Sequence, residues 1–126
     1  VRAKVCVADY DGDGRLDLFL VNWFQGRGSL LLHNETRPRR WLDVRAVGKR
    51  SNRMGIGARV RVSLDARLLG LQEISTGCGY ASGQPAVAHF GLADAAAVDV
   101  QVVFPSGATV EKKGVAADQV LTVEEP

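Results

Sequence analysis

The chain has little of the residues that usually announce chemistry. Its 126 residues include two cysteines, Cys6 and Cys78, two histidines, His33 and His89, and one methionine. The cysteines form no Cys-x-x-Cys and no zinc quartet. Cys6 alternates within an apolar run and Cys78 lies between glycines, so free thiols are favoured, with a Cys6–Cys78 disulfide left open. Gly-x-Ser-x-Gly is absent, and no Cys–His or paired-carboxylate arrangement stands out. No Gly-Lys-Ser/Thr follows a glycine-rich loop, which excludes a P-loop. No apolar run approaches the length of a membrane span. Aromatic residues make up 6% of the chain, and no RNP-like aromatic signature supports nucleic-acid binding. Helical periodicity is missing, except that Ala93–Ala97 is long enough for one helical turn. Neither a signal peptide nor an initiating methionine precedes Val1, which predicts a fragment of a longer polypeptide.

What is present is an acidic loop, Asp9-Tyr10-Asp11-Gly12-Asp13-Gly14-Arg15-Leu16-Asp17. Four carboxylates on so short a loop repel one another. A hard cation taking six to eight oxygen ligands removes that repulsion, and Ca²⁺ is such a cation. The predicted ligands are the carboxylates of Asp9, Asp11, Asp13 and Asp17 with the backbone carbonyl of Arg15, and water completing the shell. The loop begins like an EF-hand, with Gly14 at the sharp turn, but the twelfth position is Leu20 where an EF-hand needs Glu. The flanks alternate at a period of two, Val5 and Val7 before and Leu16, Leu18 and Leu20 after, so the loop joins strands rather than helices.

Asp-x-Asp-Gly-Asp-Gly-x-x-Asp between two strands resembles the FG-GAP/VCBS repeat. The resemblance continues through Leu18 to Asn34, with a turn at Gly26 and Gly28, and covers about residues 1–36. It implies a partial β-propeller blade with Ca²⁺ held in a hairpin loop. A lone blade cannot bury both faces of its sheet, so further blades are expected upstream.

Residues 37–40, with Pro38, read as a linker. Short alternating runs then recur: 41–47, 58–64, 68–75, 86–90, 98–104, 109–111 and 120–123. Turns are expected near Asp65-Ala66 and at Pro105-Ser106-Gly107. This pattern predicts an all-β, sandwich-like module. Residues 41–126 resemble the ASPIC/UnbV domain, on Trp41-Leu42-x-Val44, Ser51-Asn52-Arg53-x-Gly55-Ile56-Gly57-Ala58-Arg59-Val60, Gly79-Tyr80, His89-Phe90-Gly91-Leu92, Pro105-Ser106-Gly107 and Leu121-Thr122-Val123. Ala93 stands where that family usually has glycine. The resemblance implies a module found behind FG-GAP/VCBS repeats in cartilage-acidic-protein-like proteins and in some bacterial biosynthetic clusters. It carries no assigned catalytic residues.

Other candidates have plainer readings. The Ser51–Arg59 segment invites a phosphate-cradle reading, but its Gly-x-Gly leads into a strand. A backbone role, with glycines at positive φ and Asn52 and Arg53 fixing a turn, is preferred. His89 reads as a packed or hydrogen-bonded strand residue. The basic cluster of Arg37, Arg39, Arg40, Arg45, Lys49, Arg50 and Arg53 reads as a solvated face. The formal net charge is only +2.

The expected function is a calcium-binding, non-enzymatic scaffold of adhesion type, extracellular or periplasmic, with a protein or glycan ligand. No nucleic-acid partner and no transmembrane segment are expected. The alternative is an accessory enzyme or small-ligand or carbohydrate-binding component of a bacterial biosynthetic pathway. That alternative needs His89, Tyr80 or Arg53 in a polar pocket, or Trp41 or Tyr80 bare on a flat face.

Overall fold

The computed structural model describes residues 4–77 and 83–126. Cys78 and Tyr80 lie outside the described residues. Every regular element described is a β-strand, in several sheets of which none closes. The chain divides into two compact units.

The first unit takes in the described residues of Val1–Pro38 and Gly77–Gln84. Strands β1 (Lys4–Ala8), β2 (Asp17–Val21) and β3 (Leu30–Leu32) form an antiparallel sheet in the order β1-β2-β3. Val5 pairs with Leu20, Val7 with Leu18, and Leu18 and Leu20 with Leu32 and Leu30. Because side chains alternate along a strand, these six share one face, and Cys6, Phe19 and Leu31 share the other. Of the six only Leu20 is buried, and Phe19 and Leu31 on the opposite face are exposed too. Both faces of this sheet therefore offer apolar surface.

The second unit comprises Arg39–Thr76 and Pro85–Pro126. Its strands are β4 (Arg40–Val47), β5 (Arg59–Leu64), β6 (Arg67–Glu73), β7 (Ala88–Ala93), β8 (Ala97–Val103), β9 (Thr109–Ala116) and β10 (Gln119–Glu124). They form one sheet in the order β10-β4-β7 and another in the order β6-β5-β8-β9. Leu42, Val44 and Ala46 of β4, Val60 and Val62 of β5, and Val98, Val100 and Val102 of β8 are all buried. With Ile74, Phe90, Leu92, Phe104, Val115 and Val123 they make one core supplied by both sheets. Each fully buried valine contributes about 1.5–3 kcal/mol relative to exposure. Arg59 and Arg61 alternate with these valines and face solvent.

The turns follow from the residues at them. Leu64 pairs with Arg67, leaving Asp65 (φ 48°) and Ala66 (φ 65°) as a two-residue hairpin loop. Positive φ at both positions is the type I′ geometry that matches strand twist. The helical turn expected at Ala93–Ala97 is not formed. Ala93 (φ 53°) ends β7, the Ala95 amide donates to the Leu92 carbonyl at 3.0 Å, and β8 begins at Ala97. The three residues between these strands are too few for a turn of α-helix. Strand β9 runs well past the predicted 109–111. A register shift opposite Asp99 lets Gly114 (φ 61°) donate its amide to Asp99 Oδ1 at 2.9 Å, and pairing then resumes at Val115.

The 48–58 connection between β4 and β5 is held by its own bonds. Asn52 Nδ2 donates to the Ile56 carbonyl at 2.7 Å, and Asn52 Oδ1 accepts the Ile56 amide at 2.9 Å. At Gly55 φ is 64°, and a Cβ would lie 2.6 Å from the Ala46 Cβ. Glycine is needed there for both conformation and space.

Candidate metal centre

The 9–16 loop coils around the Asp9 side chain. Asp9 Oδ1 accepts the amides of Gly12 (2.7 Å) and Asp13 (3.1 Å), and Oδ2 accepts that of Gly14 (2.8 Å). Asp11 Oδ1 accepts the Asp13 amide at 3.3 Å, and Asp13 Oδ1 the Arg15 amide at 2.8 Å. The last two are successive Asx-type turns, in which a short acid caps the backbone two residues on. Gly12 and Gly14 take φ of 77° and 85°, a region disfavoured for residues with a Cβ. Asp17, the first residue of β2, is 2% exposed. Its Oδ1 accepts the Asn34 amide at 2.7 Å and its Oδ2 the Tyr10 amide at 3.3 Å.

Asp9, Asp11 and Asp17 each offer a carboxylate oxygen within 4.8 Å of the others. A Ca²⁺ ion bound at about 2.4 Å spaces ligands on opposite sides by about 4.8 Å. The donors are hard oxygens, and their separation fits such an ion. Asp13 falls in a second group, with Asp11 and His33. Its carboxylate is engaged by Arg15, whose Nε donates to Asp13 Oδ2 at 2.7 Å and whose second guanidinium nitrogen reaches the same oxygen. Arg15 also donates to the Thr36 carbonyl at 2.9 Å. The hydrogen bonds from the Arg15 side chain, then its amide, hold the Asp13 carboxyl below the usual carboxylate range. The Asp13 carboxylate in turn raises the Arg15 guanidinium. The structure thus brings Asp9, Asp11 and Asp17 together, and gives Asp13 a cation from its own loop.

The segment after β3 forms a wall of the site that the motif does not show. His33 Nδ1 lies 3.3 Å from Asp17 Oδ1 and 3.6 Å from Asp11 Oδ2, and its ring meets Tyr10 edge-on with centroids 5.9 Å apart. Asn34 Nδ2 donates to the Leu16 carbonyl at 3.0 Å. Register is the signal that finds them: if Leu32 pairs with Leu18, the next two residues fall beside Asp17.

Elsewhere the candidates have structural partners. His89 Nδ1 lies 2.7 Å from Asp43 Oδ1, its directly opposed residue on β4. The half-buried Trp41 indole stacks on the His89 ring at 6.3 Å and 14°. In the basic cluster, Arg39 pairs with Asp94 at 2.8 Å, Arg40 with Asp118, and Lys49 approaches Glu124 at 4.0 Å. Among the described residues no helix is long and apolar enough to cross a membrane.

The family profile described as ASPIC and UnbV matches residues 48–126. Cartilage acidic protein 1 of Mus musculus is 33% identical over 121 residues, covering 94% of this chain and 18% of that protein. Its Homo sapiens counterpart is 33% identical over 108 residues, covering 84% of this chain and 16% of that protein. The chain spans under a fifth of the length of these relatives.

Proposed function

The chain belongs to the ASPIC and UnbV family, and from that premise we propose that it is a calcium-stiffened binding scaffold rather than an enzyme. In this reading the 9–17 loop holds Ca²⁺ through Asp9, Asp11 and Asp17, with Asp13 and the Arg15 carbonyl completing the protein ligands. The observation that carries it is the convergence of three carboxylates within 4.8 Å, one of them buried. Burying a carboxylate beside two others costs free energy unless a cation compensates it. Residues 1–36 are then an FG-GAP/VCBS-type blade fragment, and the second unit a sandwich-like module. Apolar surface on both faces of the first sheet supports flanking blades in a longer chain. Free Ca²⁺ is plentiful outside cells, which favours an extracellular or periplasmic setting with a protein or glycan ligand.

Thermal unfolding of the 126-residue chain in CaCl₂ and in EGTA tests this. Calcium raises Tm, by the equivalent of about 2.7 kcal/mol at 100 times the Kd. Asp11→Ala and Asp17→Asn abolish the rise. Equal melting in both buffers would sink the reading.

A further inference from the structure

Glu125, just past β10, is fully buried. Its Oε2 accepts the amides of Lys49, Arg50 and Ser51 at 2.7, 2.8 and 2.8 Å. Its Oε1 accepts the hydroxyls of Ser51, at 3.0 Å, and of Ser106. Three successive amides converging on one oxygen form a nest, the backbone concavity that binds anions. The Lys49 ammonium approaches Glu124, not Glu125, and the donors on Glu125 are neutral dipoles.

The cradle has supports that do not involve the Glu125 side chain. The Gly48 amide donates to the Arg53 carbonyl at 3.3 Å, and the Gly55 amide to the Asn52 carbonyl at 2.9 Å. Asn52 ties the far side of the loop to Ile56. The Ser106 amide donates to Ser51 Oγ at 3.2 Å, joining the two hydroxyl donors. A loop fixed this way keeps its donors aimed at one point whether or not the carboxylate there is covalently attached. Glu125 is in turn fixed by its own backbone, whose amide donates to the Val47 carbonyl at 2.9 Å, continuing the β10–β4 pairing.

We propose that residues 49–51, with the Ser51 and Ser106 hydroxyls, form an oxyanion-binding site for a carboxylate, filled in cis by Glu125, and that this contact latches β10 onto β4. The donor set reads a planar carboxylate: one oxygen takes the three amides and the other the two hydroxyls. A free carboxylate therefore fits once the Glu125 side chain is removed.

The test is Glu125→Ala in the full chain, melted in increasing sodium formate or acetate against sodium chloride at equal ionic strength. The variant loses roughly 10 °C in Tm, as expected when buried donors lose their acceptor in a domain of this size. Formate or acetate restores at least half of that loss and saturates, chloride does not, and the parent chain responds to neither. Equal responses to formate and chloride, or none, overturn the proposal. If Glu125→Ala does not fold, formate present during refolding recovers folded protein and chloride does not; failure in both overturns it as well. Amide exchange gives a second readout in Glu125→Gln: Lys49, Arg50 and Ser51 exchange at least tenfold faster than in the parent chain, and unchanged exchange counts against the site.

Discussion

Asp17 and Glu125 are the buried charged side chains among the described residues, and they are compensated in opposite ways. Glu125 meets only neutral donors. Burial works to raise its pKa, but bonds from the Ser106 hydroxyl, the Ser51 and Lys49 amides and the Ser51 hydroxyl outweigh it and bring the carboxyl to about 2. Asp17 has two amides and the His33 ring beside it and stands among other acids, which is the company that calls for a cation. Glu125 carries a pH prediction with a definite sign. Its folded pKa lies below its ordinary 4.5, so its stabilisation is full above that value and is lost as pH falls from there towards about 2. Melting of the parent chain between pH 6 and 2 should therefore fall more steeply than that of Glu125→Gln, the two curves converging at the acid end. Parallel curves would show that the carboxylate contributes no charge-dependent stability. Asp17 was legible because its motif lies within nine residues. Glu125 was not, since Glu-Glu-Pro reads as a polar tail and its donors stand 19 to 76 residues away in sequence.

At the scale of the element, strands were legible where one face is buried and the other wet. Val60 and Val62 alternate with Arg59 and Arg61, and Val98, Val100 and Val102 do the same against Asp99 and Gln101. Partnering was not legible. Strand β10 follows β9 after two residues, which reads locally as a hairpin, yet it pairs in parallel with β4 in the other sheet. That choice is made by the core, where Val123 joins Leu42 and Val44. The β5–β6 hairpin gives a prediction from its turn alone. Ala66 occupies the second left-handed position of a type I′ loop, where glycine is preferred after Asp65. Left-handed φ costs a residue with a Cβ about 1–2 kcal/mol, partly offset by the extra unfolded-state entropy of glycine. Ala66→Gly should stabilise the chain by about 0.5–1 kcal/mol, read as a higher urea midpoint with unchanged slope. A lower midpoint would mean that the alanine methyl makes contacts worth more than the backbone strain.

At the scale of the whole molecule, the two units draw on different sources of stability. Among the described residues, the second unit contains the buried apolar core cluster and the Glu125 cradle. The first has a three-stranded sheet, one buried apolar residue among those described, and the acidic loop. A sheet of three short strands with little burial is marginal by itself, so a ligand for its loop has a large relative effect on it. Calorimetry of the full chain should then resolve two transitions rather than one. Calcium should move the transition of the first unit and leave the other in place. Lowering the pH towards 2, or Glu125→Ala, should lower the transition of the second unit. Thinning its core by Val62→Ala should do the same, by about 1–3 kcal/mol for the lost methyl groups and the cavity left behind. A single transition that shifts as one with both calcium and Val62→Ala would show instead that the two units fold as one cooperative body, and that the calcium loop stabilises the module bearing the family signature as well as its own sheet.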